Sequence, residues 1–313
     1  MTAIPQTVRQ ANASAQASAS LIRDPEDFHG RVFNAKSFSF QHALANHPLF
    51  SVDSIRALAK RLPKLPGFVH WQNGTVAVDA QWTTNTGPRL SLDETLAGIA
   101  ENNSLVVLKH VEQDPEIGPV LQALLAETWD RMPAGIRSDI TLGESLIFVN
   151  SPRRKTVYHI DLEASHLLQV SGLKTLYVFD GKGRPLISDR VLEQHCAGNQ
   201  SSAVYDPSRQ HEATRHDMVA GYGAHIPSRA PHWVQNGDEV SVSININFDF
   251  RSVHHRMRPI YALNHKLRKL GLNPTAPGRH PALDDMKIAL HGAAKWLRGD
   301  RGAPYPNWTP PRR

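Results

Sequence analysis

The sequence predicts a mainly β fold with flanking α-helices, in which an antiparallel barrel or jelly roll forms the core. Between residues 144 and 250, short segments rich in β-branched and aromatic residues follow one another closely. Glycine, proline, asparagine and serine separate these segments, as in all-β domains built from short strands. On both sides of this region, apolar residues recur at helical spacing instead. The predicted order is therefore helices, a β core and helices again.

Composition predicts a globular chain. It has 313 residues, of which 40% are hydrophobic and 20% charged. No apolar run approaches the roughly 18 residues that span a bilayer, so no membrane segment is expected. The first thirty residues lack the pattern of an export signal. The single cysteine, Cys196, excludes an internal disulfide framework and a multi-cysteine zinc site, and these features together predict a cytoplasmic protein.

Two regions are predicted before the core. Residues 1–20 form a disordered lead, because residues 10–20 contain only glutamine, alanine, asparagine and serine. Residues 21–143 form an α/β region that packs on the core. Its predicted elements are a helix over 55–62, a hairpin within 67–78 that turns at Asn73-Gly74, a helix over 91–101 that opens with a capping box, a strand over 104–109 and a helix from 114 to about 129.

The β core is predicted over residues 144–250. Its strands are expected over residues 145–150, 156–161, 166–170, 174–179, 224–227 and 240–250. The last of these alternates a polar row from Ser241 to Asn247 with an apolar row from Val242 to Phe248. Such alternation is typical of a barrel strand whose two faces meet different surroundings.

Residues 251–313 are predicted to form a basic C-terminal helical region. They hold 13 lysines and arginines against three acidic residues, whereas the whole chain has a net charge of +6. Apolar stripes predict two helices, near residues 260–270 and 286–297. A solvated helical surface is the favoured interpretation of the charge, with nucleic acid as an alternative partner. The stripes leave open whether these helices form a homodimer or pack on their own barrel.

A His-x-Asp motif is the first candidate for chemistry. His159 and Asp161 are two residues apart, and such residues point to the same side of a strand. One imidazole and one carboxylate can then bind the same metal ion, which needs at least one more protein ligand. The motif alone is weak evidence, because the chain contains 17 histidines.

Two later segments extend this motif. Lys174 shares a strand face with Leu176 and Val178, and an ammonium group buried in such a setting needs an anion. Residues 223–233 predict a strand, a turn shaped by proline and a histidine at the start of the next strand. That histidine, His232, is therefore the candidate for a third metal ligand.

Together, His159-x-Asp161, Gln169-x-x-Gly172-x-Lys174 and Pro227-x4-His232 resemble the motifs of the cupin-like JmjC oxygenases, relatives of factor inhibiting HIF. The resemblance covers about residues 140–250. It implies a double-stranded β-helix core (a jelly roll of the cupin/JmjC type), with Fe(II) as cofactor and 2-oxoglutarate as cosubstrate. It also implies that the two histidines and the aspartate bind the iron and form the catalytic centre, since this ligand set leaves the other iron positions open.

The resemblance implies that three further residues bind 2-oxoglutarate. Lys174 would bind the distal carboxylate, and Thr156 would donate its hydroxyl to the same group. Strict alternation points Thr156 away from His159, so this role requires a bend near Val157. Asn247, fifteen residues after His232, corresponds to a family asparagine close to the cosubstrate.

One family position differs in this sequence. Many relatives have an asparagine four residues after the metal-binding aspartate, where this chain has Ser165. A serine is shorter and lacks the paired donor and acceptor of an amide. A second possible pair, His195-Cys196, is expected on a helix outside the site.

The resemblance thus implies an Fe(II)- and 2-oxoglutarate-dependent dioxygenase, a hydroxylase that releases succinate and CO₂. Its substrate is expected to be a protein or peptide side chain or a small molecule. Two alternatives stay open. One is a JmjC-like regulatory or nucleic-acid-binding protein without turnover, and the other is a metal-dependent cupin isomerase or lyase that needs no 2-oxoglutarate.

Overall fold

The computed structural model describes residues 20–63, 67–82, 84–180, 187–297 and 299. The lead predicted over residues 1–20 lies outside this set except for Ser20, and so do residues 300–313 of the basic C-terminal region. Among the described residues, no helix combines the length and the apolar character needed to cross a membrane.

Short antiparallel strands dominate the described part of the chain. In chain order they are β1 (Ile22–Arg23), β2 (Phe38–His42), β3 (Val69–Gln72), β4 (Leu105–Lys109), β5 (Ile140–Asn150), β6 (Lys155–His159), β7 (Ala164–Ser171), β8 (Lys174–Val178), β9 (Thr214–Met218), β10 (Tyr222–Ile226), β11 (His232–Asn236) and β12 (Ser241–Phe250). They form an eight-stranded major sheet in the order β1-β2-β10-β7-β12-β5-β4-β3 and a four-stranded minor sheet in the order β6-β11-β8-β9.

Two facing sheets with this order make the predicted double-stranded β-helix, so the fold class is confirmed. The chain crosses from the major sheet to the minor sheet between β5 and β6 and returns between β6 and β7. Strands from the N-terminal region extend the major sheet at both ends, because β2 pairs with β10 and β4 pairs with β5. The N-terminal region is thus hydrogen-bonded into the same sheet as the core.

The two faces of β12 meet different surroundings, as the alternation predicts. Its apolar row faces outward and joins the main hydrophobic core under the helices, where Ile244, Ile246 and Phe248 are fully buried. Its polar row faces the space between the sheets, where Asn245 and Asn247 line a cavity. The polar residues on this side of the cavity therefore come from the alternation of one strand.

Most of the helices contribute apolar side chains to the main hydrophobic core. The helices are α1 (Phe28–Val32), α2 (Val52–Arg61), α3 (Leu92–Ala97), α4 (Gly118–Arg131), α5 (Ala134–Asp139), α6 (Asp189–Cys196), α7 (Arg258–Lys269) and α8 (Pro281–Leu297). Short 3₁₀ segments occupy Pro48–Phe50, Val111–Gln113 and Pro207–Glu212, and a π-helical segment, Ser252–Met257, leads into α7.

Local signals in the sequence account for several of these boundaries. Helix α2 ends at Arg61, two residues before Pro63, as the proline predicts. The capping box at the start of α3 is present, because Ser91 accepts from the amide of Glu94 and the Glu94 carboxylate accepts from the amide of Ser91. The end of α2 and the start of α3 are therefore determined by residues that can be recognised in the sequence.

Other expectations were wrong or incomplete. The hairpin expected within residues 67–78 is a single strand, β3, which pairs with β4 instead. The helix expected from residue 114 begins at Gly118 after a 3₁₀ turn, because the Asp114 carboxylate binds Arg61 and the amides of residues 116 and 117. Strands β1, β2 and β9 were not predicted, since each is short and lies within a segment of mixed polarity.

Three buried histidine rings lie on the outer face of the major sheet, among phenylalanine side chains. The amide of Asn34 donates to Nε2 of His225, so the hydrogen of that neutral ring is on Nδ1, which lies 3.1 Å from Nδ1 of His166. His29 donates from Nδ1 to Asp24 at 2.6 Å. A second proton on His166 or His225 would bring two N–H groups face to face, and burial lowers the pKa of both rings well below its usual value.

We expect this cluster to make the fold sensitive to acid. Below pH of about 6.5 the unfolded chain binds protons that the folded rings cannot, so the free energy of unfolding should fall by about 1.4 kcal/mol per pH unit for each such histidine. Urea unfolding between pH 5 and 7 measures the slope. His166→Phe, which removes one titrating ring among phenylalanines, should flatten it, and an equal slope in the variant would contradict the assignment.

Candidate metal centre

His159, Asp161 and His232 converge at one end of the minor sheet. Their candidate ligand atoms all lie within 4.8 Å of one another. The Asp161 carboxylate is 3.7 Å from Nε2 of His159 and 3.7 Å from Nε2 of His232. The two histidines are register partners, because the last residue of β6 pairs with the first residue of β11. The geometry thus offers two imidazole nitrogens and a carboxylate oxygen to a single ion.

Backbone contacts fix the tautomers of both histidines. His159 donates from Nδ1 to the carbonyl of Val157 at 2.8 Å, and His232 donates from Nδ1 to the carbonyl of Ala230 at 3.0 Å. A neutral imidazole that donates from Nδ1 has its lone pair on Nε2. Both lone pairs therefore face Asp161, and donation of the other ring N–H to a backbone carbonyl is typical of metal-binding histidines.

The pKa values favour the protonation states that metal binding requires. Burial, reinforced by the neighbouring His159 ring, lowers the pKa of His232 to about 4, so this ring is neutral at pH 7. Burial alone would raise the pKa of Asp161, but the nearby imidazoles of His159 and His232 lower it below its usual value. The result is an anionic carboxylate beside a neutral imidazole.

Asp161 lies in the loop after β6, not on the strand where the sequence predicted it. Strand alternation therefore does not explain why it meets His159. Contacts along the loop hold it instead. The amide of Arg229 donates to the carbonyl of Asp161 at 2.7 Å, the hydroxyl of Ser228 donates to the carbonyl of residue 162 at 2.7 Å, and Glu163 forms an ion pair with Arg258 at the start of α7.

Replacing Arg258 by methionine is expected to weaken metal binding without unfolding the protein. It leaves the partly buried carboxylate of Glu163 unpaired two residues from Asp161, and loss of such a supporting contact lowers metal affinity by about 10-fold. Equilibrium dialysis with Co(II) measures the change. Arg256→Met, which removes an exposed pair with Asp285, is the matched control. Equal Co(II) affinity of the two variants would show that Arg258 does not support the metal site.

A cavity of about 640 Å³ opens beside the three residues. His159, Asp161 and Asn247 line it, whereas His232, Lys174 and Thr156 do not. The opposite wall comes from β3, β4 and β5, and the rim comes from α6 and Arg258. The space is large enough for a five-carbon dicarboxylate together with part of a second molecule.

Lys174 lies deeper between the sheets and is only 3% exposed. It is on β8, flanked by β9 and β11, and its ammonium group donates to the hydroxyl of Ser243 at 2.8 Å. Among the described residues no carboxylate forms an ion pair with it, and burial lowers its pKa to about 7. Ser243 shares the polar row of β12 with Asn245 and Asn247, so the ammonium group is at the inner end of the row that lines the cavity.

The bend required for Thr156 is present. His159 pairs with His232, but Thr156 pairs with Val234, so β6 has one more residue than β11 between the two pairs. This β-bulge lies at Val157 and Tyr158, and the amide of Tyr158 donates to Val78 outside the sheet. The extra residue restores Thr156 to the face of His159.

Asn247 and Ser165 are neighbours across β12 and β7. Asn247 donates to Glu144 at 3.3 Å and accepts from Asn245 at 2.5 Å. Ser165 is buried opposite Asn247, so the residue that replaces the family asparagine faces the same polar row.

Sequence reasoning missed several side chains of the cavity wall. His195 and Cys196, expected outside the site, line the cavity from α6. The ring of Trp82 lies 4.9 Å from that of His159, in a segment without regular structure. Lys109 reaches the cavity from the end of β4. Their positions depend on packing between distant elements, and no local motif marks them.

No family model matches the sequence, and no curated protein matches it either. Among solved structures, the fold is similar to that of YcfD from Escherichia coli, with a TM-score of 0.51 and 19% identity over 88% of this chain and 68% of that chain. A structure of this ribosomal oxygenase in complex with cobalt and 2-oxoglutarate has a TM-score of 0.49 and 17% identity, over 87% and 67%.

The non-heme alpha-ketoglutarate-dependent carbocyclase SnoK from nogalamycin biosynthesis has a TM-score of 0.44 and 14% identity, over 82% of this chain and 94% of that chain. The likeness to YcfD at a TM-score above 0.5 concerns the fold. The chain therefore shares the double-stranded β-helix fold of this neighbour.

Proposed function

We propose that the chain is a non-haem Fe(II)- and 2-oxoglutarate-dependent dioxygenase that hydroxylates its substrate. The observation that carries this proposal is the convergence of His159, Asp161 and His232, with both Nε2 lone pairs directed at the carboxylate. Two histidines and one carboxylate are the ligand set of non-haem Fe(II) oxygenases. The fold is compatible with this chemistry, since YcfD binds cobalt and 2-oxoglutarate.

The donor set of the cavity fits 2-oxoglutarate as well as iron. Lys174 is a buried cation without an anionic partner among the described residues, and the distal carboxylate of the cosubstrate would supply one. Thr156 would donate its hydroxyl to that carboxylate, and Asn247 would contact the cosubstrate nearer the metal. When bound, iron and 2-oxoglutarate would supply the oxidising chemistry with O₂ as the oxidant: one oxygen atom of O₂ enters the succinate that forms with CO₂ from the cosubstrate, and the other enters a C–H bond of the substrate.

The residues of the protein contribute to the reaction by holding the metal ligands, the cosubstrate and the substrate in position. The backbone acceptors at Val157 and Ala230 hold the two imidazoles in one tautomer, and the loop contacts hold Asp161 against them. Lys174 would fix the far end of the cosubstrate, which determines how its near end meets the metal. Side chains from β3, β4 and α6 would hold the substrate in the rest of the cavity and limit access of water.

Succinate formation tests the proposal. The purified protein with Fe(II), ascorbate and 2-oxoglutarate is incubated with a host lysate, and succinate is measured together with products that gain 16 mass units. Turnover that requires both Fe(II) and 2-oxoglutarate supports the dioxygenase. Activity without 2-oxoglutarate would indicate a cupin isomerase or lyase, and salt-dependent DNA binding without any turnover would indicate a nucleic-acid-binding protein.

Within this proposal the substrate belongs to one of two classes: a side chain of a protein or peptide, or a small molecule. YcfD is described as a ribosomal oxygenase and SnoK as a carbocyclase from nogalamycin biosynthesis, so both kinds occur among proteins with related structures. The single cysteine supports a cytoplasmic location, because disulfides are rare in that compartment.

We expect the chain to form a homodimer through α8. This helix buries Asp284 and Lys287 but leaves Leu283, Met286 and Leu290 about half exposed, so its apolar face points away from its own barrel. The spacing of three and four residues is that of a helix–helix seam. Light scattering should give a dimer for the wild type and a monomer for Leu290→Asp. A monomeric wild type would contradict the prediction.

A further inference from the structure

One wall of the metal cavity contains a lysine that forms no direct side-chain contact with an anion among the described residues. Lys109 ends β4, lines the cavity and is partly buried. Among the described residues its ammonium group has neither a hydrogen bond nor an ion pair. The side chains that line the cavity with it include the apolar Val107, Leu146 and Phe148. An ammonium group in such surroundings attracts an anion more strongly than one on the open surface.

Two other carboxylates that line the cavity already have partners. Glu163 is paired with Arg258. The Glu144 carboxylate accepts a hydrogen bond from Asn247 and lies 3.3 Å from Nδ1 of His110. The positive charge of Lys109 acts on the Asp161 carboxylate at a distance, without forming an ion pair with it. In the proposed function, that carboxylate binds the metal and Lys174 binds the cosubstrate.

His70 adds a second unpartnered group to the same wall. It lies on β3 opposite Val107, two residues from Lys109 along the neighbouring strand, so both side chains are on the cavity face of the sheet. Its Nε2 atom is buried and has no hydrogen-bond partner. Burial lowers the pKa of the ring, and the Lys109 charge lowers it further, so a neutral imidazole is available as a hydrogen-bond donor.

We propose that Lys109 and His70 bind an anionic group, a carboxylate or a phosphate, on the primary substrate of the oxygenase. The ammonium group supplies the charge and the imidazole a directional hydrogen bond, both on the wall opposite the metal residues. The proposal rests on the proposed function, because it assigns the substrate end of the same cavity. It makes the enzyme selective for acids over their neutral analogues.

Matched probes test this selectivity without turnover. The protein is loaded with Zn(II) and 2-oxoglutarate, and saturation-transfer NMR compares aryl and alkyl carboxylates with their primary amides and aryl phosphates with the parent alcohols. We expect the charged member of each pair to bind preferentially. The carboxylate and phosphate series then identify which anion the site takes. Equal binding of charged and neutral members, or no binding by any probe, overturns the proposal.

Variants of Lys109 test whether this residue causes the preference for charged probes. Lys109→Met should weaken binding of the charged probes by about 10-fold or more and leave the neutral probes unchanged, whereas Lys109→Arg should retain the preference. Lys60→Met, at an exposed lysine beside Asp93, is the control. Charged probes that bind Lys109→Met as well as wild type overturn the proposal. A protein that binds neither Zn(II) nor 2-oxoglutarate fails earlier, and that result rejects the proposed function together with this inference.

Discussion

Replacing Asp161 by alanine is expected to abolish succinate formation and to lower metal affinity by about 100-fold or more. Loss of a supporting contact alone costs 10- to 100-fold in affinity at such sites, and this substitution removes the single anionic ligand of the triad. It also leaves His159 and His232 facing each other with ring centroids 4.2 Å apart, without the carboxylate that would share a cation with them.

The measurement is bound Co(II) per chain after equilibrium dialysis, followed by Fe(II)-dependent succinate formation. Asp238→Ala removes an exposed carboxylate that pairs with Arg153 and should retain both properties. Circular dichroism shows whether each variant is folded. A folded Asp161→Ala protein with the wild-type metal content would remove Asp161 from the metal site.

Replacing Lys174 by methionine should raise the 2-oxoglutarate concentration needed for half-maximal turnover by about 30-fold or more while leaving metal content unchanged. Truncating one partner of a buried charge pair costs at least about 2 kcal/mol, which corresponds to that factor. The methionine can occupy the space beside Leu176 and Val178, so the fold should tolerate the change.

Titration of 2-oxoglutarate at fixed Co(II) measures this effect directly, with Lys60→Met as control at an exposed position. An unchanged 2-oxoglutarate affinity in Lys174→Met would assign the distal carboxylate to another cation of the cavity. An equal loss of metal and cosubstrate would indicate a general structural defect.

We also expect Lys174 to make the free energy of unfolding depend on pH in the protein without cosubstrate. Burial lowers the pKa of Lys174 from 10.5 to about 7, so between these values the unfolded chain binds a proton that the folded chain does not. Its contribution to the free energy of unfolding therefore rises with pH, by about 1.4 kcal/mol per unit. Urea unfolding from pH 7 to 8.5 measures the free energy of unfolding of wild type and Lys174→Met. The difference between the two values should increase with pH at this slope.

The β core could be predicted because its strands carry their own signals. Apolar and polar residues alternate strictly along β12, and turn residues separate the neighbouring strands. The helices α2 and α3 were predictable from a proline and a capping box. The edge strands β1 and β2 were not, because a short strand with one exposed face is specified by its partner in the sheet rather than by its own residues.

The candidate site was predictable in its residue types but not in its geometry. The three motifs identified His159, Asp161, Lys174 and His232 by resemblance, yet the expected reason for the meeting of His159 and Asp161 was wrong. The carboxylate is held by loop contacts, including the ion pair of Glu163 with Arg258, that join residues far apart in sequence. Lys109 and His195 were missed for the same reason, because only the folded chain brings their elements to the cavity.

The participation of N-terminal strands in the major sheet limits how the protein can be divided. A fragment cut at residue 144 would lose the hydrogen-bonding partners of β10 and β5, which are β2 and β4. Both margins of the remaining sheet would then present free backbone donors and acceptors, a template for intermolecular pairing. Expression of the barrel alone should accordingly yield aggregates, and the catalytic unit has to include the segment that precedes it.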